Sequence, residues 1–139
     1  MKNNNPNQSR QIEITWKEYK KYEEAKDQYK IVYLFVRNGK PHYIGMCNFS
    51  VFGGIRRKIG GRERSPRYGH SYEYLICAAL DLAGLKLYIG KVKKSSEHLL
   101  DPIEKTLILK YLPESNKRKT KVQENFTFKH MGDFPKFLK

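Results

Sequence analysis

Ile31-Val32-Tyr33-Leu34-Phe35-Val36-Arg37-Asn38-Gly39-Lys40-Pro41-His42-Tyr43-Ile44-Gly45 is the stretch on which the reading of this chain turns. Ile31 to Val36 is an apolar run of β-branched and aromatic residues, and His42 to Met46 is a second, shorter one. Arg37-Asn38-Gly39-Lys40 separates them. Asn-Gly between two apolar runs is a strong hairpin signal, because a type I′ turn needs positive φ at both central positions. The stretch therefore predicts a two-stranded antiparallel ribbon. Taken for propensity alone, it is an amphipathic hairpin whose tyrosines suit a pleated, half-buried surface.

Around this ribbon, 139 residues suffice for one domain with a modest core. Twenty-eight Lys and Arg against fourteen Asp and Glu leave a formal charge of +14. That balance favours a polyanionic partner, nucleic acid first, although an anionic membrane surface or a ribosome answers the same charge. No apolar run approaches the roughly 18 residues of a membrane helix. The start, MKNNNPNQSR, lacks the apolar segment of a signal peptide. The expectation is an intracellular, cytoplasmic protein with no membrane partner. Cys47 and Cys77 have no CxxC spacing, so neither a disulfide framework nor a zinc site is implied. Both are expected reduced, with Cys77 in the core.

Working outward, residues 1–10 read as a mobile polar tail and 11–139 as one domain. Thr15-Trp16-Lys17-Glu18 has capping-box spacing, and Trp16, Tyr19, Tyr22 and Ala25 recur at helical intervals, which predicts a helix over about 16–27. After the ribbon, Ser50 is placed to cap a short helix that Gly53 and Gly54 weaken. Arg56, Arg57, Lys58, Arg62, Arg64 and Arg67 fall within twelve residues, opposed only by Glu63. Such a cluster is either a solvated face or, with Gly pairs that let backbone approach closely, a phosphate-binding loop. Ser71 reads as the N-cap of a helix through Leu82, with Tyr72, Leu75, Ile76, Ala79 and Leu80 on one face and Gly84 as its stop. Leu85 to Val92 alternates as a third strand. Asp101-Pro102-Ile103-Glu104 then opens a helix, with Asp101 as N-cap and Glu104 three residues on. Phe126, Phe128, Phe134 and Phe137 argue that the C-terminal segment packs, with a short strand at 125–130.

Ile31-Val32-Tyr33, nine residues, then Tyr43-Ile44-Gly45 resembles the paired motif of the GIY-YIG nuclease family, with Ile31 standing where that motif has its first glycine. Tyr88-Ile89-Gly90 repeats the second half, but no Ile-Val-Tyr precedes it by one hairpin. Downstream, Glu104, Leu107-Ile108, Pro113 and Asn116 are similar to the family's Glu-x-x-Leu-Ile, Pro-x-x-Asn signature. The resemblance spans about residues 30–117. It implies an α+β fold with a small three-stranded antiparallel sheet, hairpin plus third strand, flanked by helices. It also implies a metal-dependent DNA endonuclease.

The same resemblance assigns roles. Glu104 would ligate one divalent metal, Mg²⁺ or Mn²⁺, as a hard carboxylate supplemented by waters suits it. Read from the residues alone, Glu104 is equally a capping-box glutamate. Tyr33 would be the general base or orient the attacking water, which requires a phenol of ordinary pKa near 10 to be lowered by metal or cations. Tyr43 would hydrogen-bond the phosphate. Arg56, with Arg57 close behind, would stabilise the transition state, because guanidinium is always charged and forks onto phosphate. Both stand further from the second motif than the family's arginine. His70 would assist proton transfer, or is a surface residue. Lys58, Arg62, Arg64 and Arg67, together with Lys117, Arg118 and Lys119, are candidates for contact with DNA. The biological setting is restriction, repair or mobile-element nicking, with a lean to restriction, where a homodimer would cut both strands. The other readings are a non-catalytic nucleic-acid-binding module on the same scaffold and an unrelated RNA- or ribosome-associated basic protein.

Overall fold

The computed structural model of the chain describes residues 9–48, 51–53, 69–116 and 125–139. Its centre is a five-stranded mixed sheet formed by β1 (Arg10–Tyr19), β2 (Ile31–Arg37), β3 (Lys40–Cys47), β4 (Lys86–Val92) and β5 (Phe126–Gly132). The spatial order is β3-β2-β4-β1-β5, and β1–β5 is its parallel pair. The helices are α1 (Tyr22–Ala25), α2 (Gly69–Asp81) and α3 (Leu100–Tyr111), the last entered from a 3₁₀ turn over Lys94–Leu99. The fold is α+β. No helix among the described residues is long and apolar enough to cross a membrane.

The hairpin forms as its sequence dictates. Asn38 and Gly39 take φ of 52° and 75°, and Arg37 pairs with Lys40 across a two-residue turn. Tyr33 pairs with Gly45, Phe35 with Tyr43, but Val36 with Pro41, so His42 is an extra residue in a bulge beside a proline that has no N–H to give the ladder.

Alternation along the strands divides the core in two. Ile12, Ile14, Trp16, Val32, Leu34, Ile44 and Tyr88 point to the side covered by α3 and the C-terminal segment, where Leu100, Ile103 and Leu107 are buried against them. Tyr19, Ile31, Leu87 and Ile89 point to the side covered by α1 and α2, with Ala25 and Ile76 packed on them. Each fully buried aliphatic side chain adds about 1.5–3 kcal/mol relative to exposure.

Several expectations are corrected. Residues 16–19 are not helical: Ile12, Ile14 and Trp16 alternate with Glu13, Thr15 and Lys17, and ladders on both flanks hold them as β1. Arg10 lies in this strand, opposite Phe126, and not in the tail. β1 and β5 thus extend the expected three-stranded antiparallel unit, β3-β2-β4, to five strands. The Tyr88-Ile89-Gly90 repeat lies in β4, where a Cβ on Gly90 would come within 2.6 Å of Ile14 and 2.9 Å of Trp16, so close sheet packing accounts for that glycine.

α2 begins at Gly69, two residues before the expected cap, and Leu75 is exposed while Ile76 turns inward. Gly84, at φ 67°, ends it as read. Asp101 is not the cap of α3. The 3₁₀ turn runs into the helix with Leu99 at the cap position, and Asp101 instead pairs with Lys105 at 2.9 Å. Both cysteines are free, but Cys47 is the buried one and Cys77 only partly so. The expected helix capped by Ser50 lies outside the described residues.

Candidate active site

Tyr33 and Tyr43 are brought onto one face by the hairpin register. Because Tyr33 pairs with Gly45 and Phe35 with Tyr43, all four project to the α2 side. The two tyrosine rings lie 6.1 Å apart between centroids. Gly45 is there for space: the Tyr33 ring lies over it, and a Cβ at 45 would collide with Cζ and the hydroxyl oxygen. The ring is steadied from the other side by Phe52, edge-on at 4.9 Å, and by Phe35 at 6.0 Å. Phe52 is held by its own backbone, which donates to the Gln28 carbonyl at 2.8 Å. Tyr33 is half-buried and Tyr43 is open to solvent.

Glu104 comes from α3, which packs on the other side of the sheet from Tyr33 and Tyr43, across the β3 edge. It lies one helical turn beyond Leu100 and directly after buried Ile103, and its side chain is half-buried. Its negative charge acts on Cys47, whose thiol is pushed up to about 12, by burial first and by Glu104 second. Cys47 pairs with Ile31 and lies two residues along β3 from Gly45, on the Tyr33 side of the sheet. Because α3 starts at Leu100, Glu104 is too deep in the helix for a capping box, so that structural account of it lapses. A thiol held so firmly protonated is no nucleophile. His42 is engaged elsewhere, its ring nitrogens 3.4 Å from the Glu114 carboxylate and 3.2 Å from the Ser115 hydroxyl.

What fixes α3 against the hairpin is the turn that follows it. Leu112 takes a left-handed φ of 49° and ends the helix. Pro113 is buried, and Asn116 then grips the free edge of β3 with two hydrogen bonds. The Ile44 amide donates to its Oδ1 at 2.8 Å and its Nδ2 donates to the Ile44 carbonyl at 2.9 Å. Ser115 N donates to the His42 carbonyl alongside at 2.8 Å. The Pro-x-x-Asn pattern is thus a brace that ties the carboxylate-bearing helix to the strand carrying Tyr43.

The other candidates are not brought to this site by the described structure. Arg56, Arg57, Lys58, Arg62, Arg64, Arg67, Lys117, Arg118 and Lys119 lie outside the described residues. His70 lies in the first turn of α2, with its backbone alone described. Among the described residues no three His, Cys, Asp or Glu side chains converge as a ready metal cage. A lone carboxylate fits only an ion that keeps most of its waters or takes substrate oxygens, which is the habit of Mg²⁺. Sequence reasoning overlooked the packing roles of Phe52 and Asn116. The first carries no motif, and the second showed only as a spacing. No family model, no curated protein and no solved structure matches the chain.

Proposed function

We propose that this protein is a metal-dependent DNA endonuclease of the GIY-YIG type that hydrolyses phosphodiester bonds. The observation that carries the reading is the Tyr33 ring seated over Gly45 beside Tyr43 on the hairpin that resembles the family's paired motif. In this reading the antiparallel β3-β2-β4 unit with α2 and α3 is the family's small catalytic sheet, enlarged by β1 and β5.

Hydrolysis adds water to phosphorus, breaks the bond to the leaving sugar oxygen, and moves a proton to that oxygen. Tyr33 orients the attacking water and accepts its proton; Tyr43 donates to a phosphate oxygen. Arg56 or Arg57 supplies the guanidinium that balances charge on the phosphoryl oxygens. His70 passes a proton towards the leaving group. Glu104 would hold one Mg²⁺ or Mn²⁺, which would supply Lewis-acid polarisation of the phosphate and charge stabilisation of the leaving oxygen. The setting is restriction, with a homodimer for double-strand cutting, or nicking in repair or mobile-element transfer.

A second reading keeps the scaffold without catalysis, as a nucleic-acid-binding module. Ile31 favours it, since a fully buried branched side chain occupies the position of the family's first glycine. Supercoiled plasmid incubated with the protein in Mg²⁺ and in EDTA separates the two. The nuclease reading predicts nicking or linearisation in Mg²⁺ alone, reduced about 100-fold or more in Tyr33→Phe and in Glu104→Gln. Salt-sensitive binding with no cleavage in any form supports the module.

A further inference from the structure

Among the described residues, the α2 side of the sheet is covered over only half its width. α1 and α2 pack on Tyr19, Leu87, Phe35 and Ile89, whereas β1 and β5 turn Thr15, Lys17, Thr127 and Lys129 outward on the same side, all exposed. The register places these residues in rows with the candidate site. Tyr33 pairs with Ile89, which pairs with Lys17, so Lys17 lies two strands from Tyr33, roughly 10 Å across the sheet. Lys91 lies between Ile31 and Thr15 in the next row, and Lys129 is beside Glu13.

Apart from Glu13, the charged residues that β1, β4 and β5 turn to this side are lysines. Glu13 is satisfied by Lys93, and its carboxyl is held below the usual range by that hydrogen bond, with Lys129 adding to the effect. Lys17, Lys91 and Lys129 are in no ion pair among the described residues; Lys17 rests over the Tyr19 ring at 5.2 Å. At the lower rim, Tyr29, Lys30, Lys91, Val92, Lys94 and Glu97 line an open hollow of about 400 Å³.

A sheet face left to solvent carries polar residues, and here these include lysines, whose aliphatic stems can lie over the sheet with the ammonium groups in water. From β3 to β5 the sheet spans four interstrand steps, roughly 19 Å. Duplex DNA presents one charge per about 1.7 Å of axis along such a length.

The geometry points to this uncovered face, through Lys17, Lys91 and Lys129, as the track for the backbone of duplex DNA leading to Tyr33. The inference rests on the nuclease reading for the identity of its partner. It makes the site one edge of a longer basic surface built by β4 and by the two strands, β1 and β5, added to the catalytic sheet.

The test is the salt dependence of binding to a duplex oligonucleotide in EDTA, where no cleavage intervenes. The face variant is Lys17→Gln/Lys91→Gln/Lys129→Gln, the charge-matched control is Lys110→Gln/Lys136→Gln/Lys139→Gln, and a Lys→Arg version of the face keeps the charge. Three lost phosphate contacts reduce the slope of log affinity against log salt by about 2.7. Raising salt from 50 to 200 mM then weakens wild-type binding about 40-fold more than it weakens the face variant. The control and the Arg version keep the wild-type slope, and unchanged thermal unfolding guards against misfolding. Wild-type DNA binding with equal slopes in the face variant and control overturns the track and leaves the nuclease reading standing. Lysine-dependent binding to duplex RNA or phosphatidylserine vesicles, with none to DNA, overturns both.

Discussion

At the scale of single residues, the second glycine of the motif has a physical reason. Gly45 sits opposite Tyr33, and the phenol ring occupies the space of its missing side chain. The obstacle to a larger residue is the far end of a movable side chain, so Gly45→Ala displaces the ring more than it unfolds the sheet. The expected result is a cleavage rate at least 10-fold lower with urea-unfolding stability changed by no more than about 1 kcal/mol. Tyr33 and Gly45 were legible in sequence because Asn38-Gly39 fixes the register between them. The contact with Phe52 was not, since nothing in residues 48–53 announces where that ring turns. Glu104 was legible by spacing only, and its cap-like context was misleading because the 3₁₀ turn ahead of α3 moves the helix start away from Asp101.

At the scale of elements, the turn after α3 is tied to β3 by backbone bonds, by His42 and most fully by Asn116. Asn116 serves both backbone groups of Ile44 on an edge that has no further strand among the described residues, and Ile44 itself is buried. Asn116→Ala leaves those groups short of partners, and destabilisation of about 1–3 kcal/mol is expected in urea unfolding. Asn116→Asp keeps one acceptor for the Ile44 amide and loses the donor to its carbonyl, so it falls between the two. The hairpin, α2, β4 and the short C-terminal strand followed from local pattern and turn chemistry. β1 did not. Thr15-x-x-Glu18 and an aromatic every third residue imitate a helix, while the Ile12, Ile14, Trp16 alternation that prevails is completed by partners 70 and more positions away, Val92 and His130. The same distance hid the basic face, because Lys17, Lys91 and Lys129 become neighbours only once the strand order is known.

At the scale of the whole molecule, His130 joins segments that are far apart in the chain. Trp16 Nε1 donates to its Nδ1 at 2.9 Å, and its Nε2 lies 3.2 Å from the Tyr111 hydroxyl, which reaches the Leu138 carbonyl at 3.5 Å. β1, α3, β5 and the C-terminus thus meet on a neutral imidazole. Burial, and then Lys110, hold its pKa down to about 4 from the usual 6.5. Protonation therefore favours the unfolded chain. The contribution is complete above pH 6.5 and is lost as pH falls towards 4, up to about 3 kcal/mol in all. Unfolding free energies measured across pH 4–7 decline steeply for the wild type, and His130→Gln, which keeps an acceptor for Trp16, removes that part of the slope.

The claim on which the account rests is that the hairpin and α3 form one catalytic unit, Tyr33 from the first and Glu104 from the second. Single-turnover cleavage of supercoiled plasmid in Mg²⁺ by the wild type, Tyr33→Phe, Glu104→Gln and the double variant tests it most directly. Residues acting as a unit are strongly non-additive. The account predicts a double variant within about threefold of the slower single variant. Cleavage that survives either substitution, or two losses that simply multiply, would contradict it.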